Sequence, residues 1–164
     1  MDAAEIIRHL KLEPLPIEGG YFRQTWVADE SVSIPRYSSP RAAGTAIYYL
    51  LTSDPDSFSA LHRLSTDEMY HFYVGDPVEM LSLGNGIAQR VTLGHDIMRG
   101  QQVQYVVPRD VWQGSRLLPG GRFALMGTTM APGFDPADFT IGRRDELIAA
   151  YPEQANFIRA LTRG

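Results

Sequence analysis

Apolar positions recur at two periods along the chain, and the change of period marks off a helical start, a long strand-rich body and a helical end. Ala3, Ile6, Ile7 and Leu10 fall at helical spacing, which predicts a short amphipathic helix over residues 2–10 with Asp2 as its N-cap. A helix of so few turns needs a partner to pack against. Gly19-Gly20 then opens Tyr21-Phe22-Arg23-Gln24-Thr25-Trp26-Val27, whose aromatic and β-branched content predicts a strand entered through a tight turn. Residues 28–44, with Pro35, Pro40 and Gly44, read as a polar loop. From Thr45 to about Met130 helical periodicity is absent, and short strand segments follow one another: TAIYYLLT, SFSALHR, MYHFYV, PVEMLSL, IAQRVTL, QVQYVV, VWQGSRL and RFALMGTTM. Asn85-Gly86 between two of them predicts a two-residue hairpin, because both residue types accept the positive φ of a type I′ turn. Pro119-Gly120-Gly121 marks a looser turn. Pro132-Gly133 ends the strand region, and Asp145 to Ala150 followed by Pro152 to Leu161 predicts a helical cap with Ala155, Ile158 and Leu161 on one side.

So many strands with turn signals between them predict an all-β sandwich or barrel, formed as one domain over residues 1–164. Composition supports this, since the 15 Gly and 11 Pro are spread along the chain instead of collected in a linker. The net charge of −4 supplies no basic face for nucleic acid or an anionic membrane surface. No apolar run approaches the ~20 residues that span a bilayer. With no Cys there are neither disulfides nor thiolate metal sites. The acidic start Met-Asp-Ala-Ala-Glu is unlike a secretory leader, so the expected location is the cytoplasm. Lys11 is the sole lysine, which sets Schiff-base chemistry aside.

Four histidines remain as candidates. His9, in the first helix, and His95, in a Gly-His-Asp turn, read as surface residues. His62 and His71 flank LHRLSTDEMYHFYVG, where the spacing of Ser57, His62, Glu68 and Gly75 resembles the first motif of the cupin superfamily. Pro108 and Gln113 in VVPRDVWQGS match the spacing of the second motif. The runs LPIEGGYFRQTW, TAIYYLLTSD, SALHRLSTDEMYHFYVGDPVEML, VVPRDVWQGSRL and ALMGTTMAPGFDPADF resemble, in order, a subgroup of bacterial and fungal cupins of unknown function, over roughly residues 5–162. The resemblance implies a double-stranded β-helix, or jelly roll, usually a homodimer, with a small-molecule pocket in the barrel mouth. It implies no established reaction.

The departures from the superfamily pattern bear on chemistry. Metal-binding cupins use two His and a Glu of the first motif and a His of the second. Here Leu64 stands at the second His position and Gln113 at the last. That leaves His62, Glu68 and Gln113 as the only metal donors, a poor set for zinc, iron or copper, and no cofactor is expected. Strand parity places Phe58, Ala60, His62 and Leu64 on one face, continued by Glu68, Tyr70 and Phe72, and turns His71 and Trp112 away. His62 and Glu68 are then expected as acid and base, because an imidazole exchanges protons near neutrality and burial raises a carboxyl's pKa. This is similar to the metal-free sugar-nucleotide epimerase branch of the cupins. Tyr70, Phe72 and Gln113 are the expected ligand contacts. Arg23 on its strand suits a carboxylate or phosphate, or equally a salt bridge to an acid such as Glu18. Three functions stay open: a metal-independent isomerase, epimerase or lyase on a small polar metabolite such as a sugar derivative, a non-catalytic binding, storage or sensing module, and a metal-dependent oxygenase.

Overall fold

Asp2 caps the first helix, α1 (Ala3–Leu10), by accepting the Glu5 N–H at 2.8 Å while Glu5 accepts the Asp2 N–H at 2.9 Å, the reciprocal pairing of a capping box. The protein is described here from a computed structural model covering residues 1–164. Thirteen strands follow: β1 (Glu13–Pro14), β2 (Tyr21–Val27), β3 (Ser31–Val32), β4 (Arg41–Ala42), β5 (Thr45–Thr52), β6 (Ser59–Arg63), β7 (Glu68–Gly75), β8 (Val78–Gly84), β9 (Ile87–Leu93), β10 (Gln104–Val107), β11 (Trp112–Leu117), β12 (Phe123–Met130) and β13 (Thr140–Ile141). The chain ends in α2 (Arg144–Ala150) and α3 (Ala155–Ala160). No helix is long and apolar enough to cross a membrane.

The strands pair antiparallel into a six-stranded sheet, β1-β2-β5-β12-β7-β10, a five-stranded sheet, β13-β6-β11-β8-β9, and a small β3-β4 ribbon. The two large sheets face each other as the jelly roll expected of the sequence. Asn85 and Gly86, at φ 51° and 75°, make the β8–β9 hairpin. Period-two patterning fills the space between the sheets with Tyr49, Leu51, Tyr70, Phe72, Met80 and Met126. The opposite parity supplies two outer clusters. Leu61, Leu81 and Leu83 on the five-stranded sheet are covered by Leu147, Phe157, Ile158 and Leu161 of the C-terminal segment. Leu50 and Phe123 on the six-stranded sheet are covered by Ile6 and Leu12. Each terminal segment thus hides sheet surface that the barrel cannot bury itself.

Two boundaries differ from the pattern reading. The polar loop over residues 28–44 contains the β3–β4 ribbon, and its Arg41 is buried. The predicted helix from Pro152 begins as a single 3₁₀ turn before α3, since Pro152 sets the first turn but supplies no N–H.

Candidate functional site

At one end of the space between the sheets, β2, β5, β6, β7 and β12 surround a cavity of about 460 Å³. Ten of its 17 lining residues are hydrophobic, among them Phe22, Ile47, Leu64, Phe134 and Phe139. Its ionisable members are Glu18, His62 and Glu68. A larger surface depression of about 610 Å³ beside Arg163 and Gly164 has neither a histidine nor a glutamate in its wall.

His62 reaches the cavity through an irregularity in β6. Its register with β11 pairs His62 with Gln113 but Ser59 with Ser115, so two residues along β11 match three along β6. Such a bulge reverses the facing of every residue beyond it. His62 therefore points inward as parity predicted, but Phe58 does not share its face. Phe58 packs with the outer cluster around Leu61, under the Arg163 guanidinium at 4.1 Å. The His62 ring is almost fully buried and stacks on Phe139 at 5.2 Å. Its Nδ1 lies 2.8 Å from the Ala60 carbonyl. A carbonyl only accepts, so Nδ1 donates its ring hydrogen there and Nε2 is the nitrogen turned to the cavity. Nε2 stands 4.0 Å from Glu18 Oε2.

Glu18 is the cavity residue that the pattern reading misplaced, having offered it only as a partner for Arg23. It sits in a tight turn over Leu15 to Gly20, with φ at 70° for Ile17, 103° for Gly19 and 72° for Gly20. The Leu15 N–H donates to the Gly20 carbonyl at 2.9 Å and the Gly19 N–H to the Leu15 carbonyl at 3.0 Å. A Cβ on Gly19 would collide with the Phe58 carbonyl and Arg163, so glycine answers both the positive φ and the close approach. Three further bonds anchor the turn. The Ala60 N–H donates to the Glu18 carbonyl at 2.8 Å, Tyr49 donates to the Gly19 carbonyl at 2.9 Å, and Arg163 donates to the Ile17 carbonyl at 3.3 Å. The Ser59 hydroxyl donates to Glu18 Oε1 at 2.9 Å, which leaves Oε2 facing His62. The acid before two glycines, in a sequence otherwise reading as a strand entrance, was the available signal.

Glu68 opens β7 and is buried. Burial pushes its carboxyl above the usual range and the Glu18 charge adds to the rise, against the pull of His62 and of hydrogen bonds from Thr128 and Gln113. Gln113 Nε2 donates to Glu68 Oε2 at 2.9 Å. Burial also holds the Tyr49 and Tyr70 phenols far above their ordinary ionisation, so both remain hydroxyls.

The other expected contacts are distributed differently. Tyr70 and Phe72 face inward but belong to the packed core, and neither forms the cavity wall. Gln113 stands behind Glu68 and acts on the cavity through it. Arg23 is a clear correction: its neighbours Phe22 and Gln24 line the cavity, so Arg23 points to the outer face of the six-stranded sheet. There it lies 5.5 Å from the Tyr48 ring, without a salt bridge to Glu18. His71 is on that outer face too, bonded through Nε2 to Thr129 at 2.8 Å, as its parity predicted. Trp112 faces outward under Arg63 at 4.6 Å.

The segment carrying Phe134, Pro136 and Phe139 forms part of the cavity wall. Arg41 pins it with a two-point contact to Asp138, Nε to Oδ2 at 2.9 Å and the terminal nitrogen to Oδ1 at 2.8 Å. A resident transition metal needs three or more converging donors. Leu64 puts an alkyl chain on the cavity wall, Gln113 turns its NH₂ to Glu68, and no three His, Asp or Glu side chains converge. The donors present do not fit such a metal.

Comparison with known proteins agrees with this architecture. The family model described as Cupin superfamily (DUF985) matches residues 4–142. The uncharacterized protein YML079W of Saccharomyces cerevisiae is 32% identical over 147 residues, covering 79% of this chain and 71% of its own. A hypothetical protein from Leishmania major superposes with a TM-score of 0.91 at 30% identity, covering 100% of both chains. Protein SO0799 from Shewanella oneidensis gives 0.87 at 29%, covering 99% and 98%. A dTDP sugar isomerase from Desulfovibrio desulfuricans (TM-score 0.51, 19% identity, 80% of this chain and 88% of that one) and the oxalate decarboxylase of Bacillus subtilis (0.54, 12%, 93% and 37%) share the fold alone. With its two facing sheets, its motif residues at the barrel mouth and a family match over most of its length, the chain belongs to the cupin superfamily, in the family DUF985.

Proposed function

We propose that this cupin is a metal-independent proton-transfer enzyme of isomerase, epimerase or lyase type acting on a small metabolite. The observation that carries the reading is the orientation of His62. The Ala60 carbonyl holds the hydrogen on Nδ1, so the basic nitrogen points at Glu18 and the cavity. In the isomerase form, Nε2 takes a proton from a substrate carbon beside a carbonyl, and the C–H electron pair moves into the new C=C bond. Glu68, whose carboxyl burial pushes above its usual range, gives its proton to the carbonyl oxygen. Reversal at the neighbouring carbon or the opposite face returns the Nε2 proton to carbon and the hydroxyl proton to Glu68. Glu18 stabilises the imidazolium formed between the two steps, as a carboxylate beside a catalytic imidazole does.

Deuterium exchange tests this. A panel of small ketones and aldehydes is incubated with the protein in deuterium oxide and followed by mass spectrometry. Wild type should place deuterium on the carbon beside the carbonyl of at least one member, and His62→Gln should lose about two or more orders of magnitude of that rate. Exchange that persists in His62→Gln removes His62 from the role of base. Every member recovered unlabelled assigns the cavity to binding without turnover.

A further inference from the structure

The ionisable groups in the cavity wall are two carboxyls, Glu18 and Glu68, and one imidazole, His62, with neither Arg nor Lys among them. The nearest guanidinium groups are committed elsewhere. Arg41 is locked to Asp138, Arg163 binds the backbone carbonyls of Ile17 and Asp56, and Arg23 faces the other side of its sheet. Glu18 Oε1 accepts from Ser59, but Oε2 has no hydrogen bond, and His62 Nε2 stands 4.0 Å from it, beyond hydrogen-bond reach. Behind Glu68, Gln113 Oε1 is buried without any donor. The remaining wall is apolar, with the rings of Phe22, Phe134 and Phe139. An anion entering here would lose its water beside the Glu18 carboxyl with no Arg or Lys to offset the loss, whereas an ammonium group brings charge and hydrogen-bond donors, and aromatic faces attract organic cations.

We propose that the cavity selects a small organic cation, an ammonium group on an apolar body, with the ammonium against Glu18, and excludes carboxylates and phosphates. This names the substrate class for the proton-transfer site and rests on that reading only in taking the cavity as the place where the substrate binds. Sugar phosphates and nucleotide sugars are thereby disfavoured, for want of an Arg or Lys to hold the phosphate.

Three probes of nearly one shape and different charge test it by calorimetric titration: phenethylamine, phenethyl alcohol and phenylpropanoate. Wild type should bind the amine about tenfold or more tighter than the alcohol, and the acid more weakly than either. Glu18→Gln should bring the amine down to the affinity of the alcohol while the alcohol itself is unchanged, which reports an intact cavity. If that variant also loses the alcohol, the order of the three probes in wild type decides. The proposal is overturned if the acid binds as tightly as the amine, if Glu18→Gln leaves amine affinity unchanged, or if the amine shows no binding at millimolar concentration. His62→Ala should abolish exchange chemistry yet keep the amine ahead of the acid, so loss of the catalytic reading and loss of this one give different results.

Discussion

His62 and Glu68 meet different surroundings in the cavity wall. A backbone carbonyl fixes one imidazole tautomer, whereas burial raises the carboxyl's pKa. That rise makes a linkage prediction. A carboxyl with a higher pKa folded than unfolded stabilises the fold most below the ordinary carboxylate value near 4.3, and the stabilisation is lost as pH climbs through the folded value. Glutamine imitates the protonated form at every pH. Urea melts of wild type and Glu68→Gln between about pH 4 and pH 8 should therefore show the variant gaining on wild type as pH rises. A stability difference that stays constant with pH contradicts the cause assigned here. At this scale the motif spacing made His62 and Glu68 legible, since both are inward positions of strands. Glu18 was not legible in that way. Its carboxylate meets Ser59 from 41 residues away in sequence, and a turn with Ile17 in the left-handed region has no period to reveal its direction. Arg23 was misread because the choice between the two faces of β2 depends on which side the second sheet covers.

At the scale of elements, strand-favouring residue content and the turn signals around it predicted β2, β5 and β9 at their observed ends, because both are local to the chain. Alternation misassigned Phe58, since one extra residue in β6 reverses parity and leaves no mark in composition. The terminal helices are short and owe their stability to packing. Ile158 is fully buried against the outside of the five-stranded sheet, away from the cavity. Ile158→Ala should cost about 2–5 kcal/mol in chemical denaturation with probe binding at the cavity unchanged at temperatures where the variant is folded. A large fall in probe affinity without loss of stability would instead tie this cluster to the site.

For the molecule as a whole, the cavity and the fold are coupled. Its wall is assembled from the β1–β2 turn region, both sheets and the Arg41-pinned mouth segment, so a ligand seated there binds the native state and not the unfolded chain. Phenethylamine at about a hundred times its Kd should raise the unfolding free energy by about 2.7 kcal/mol, read as a rise in Tm, and the same concentration should do less for Glu18→Gln. An equal rise in both would place the amine elsewhere on the protein.

The sequence by itself determined the strand-rich body, its helical ends, the Asn85-Gly86 hairpin and the pair His62 and Glu68, because periodicity, turn chemistry and motif spacing are local properties of the chain. Only the tertiary structure decided that Glu18 stands against His62, that Arg23 looks outward, that Tyr70 and Phe72 are core, and that neither Arg nor Lys lines the cavity. Those outcomes depend on how strands far apart in sequence are brought into register, where one bulge or one tight turn sets the direction of a side chain and hence the charge of the site.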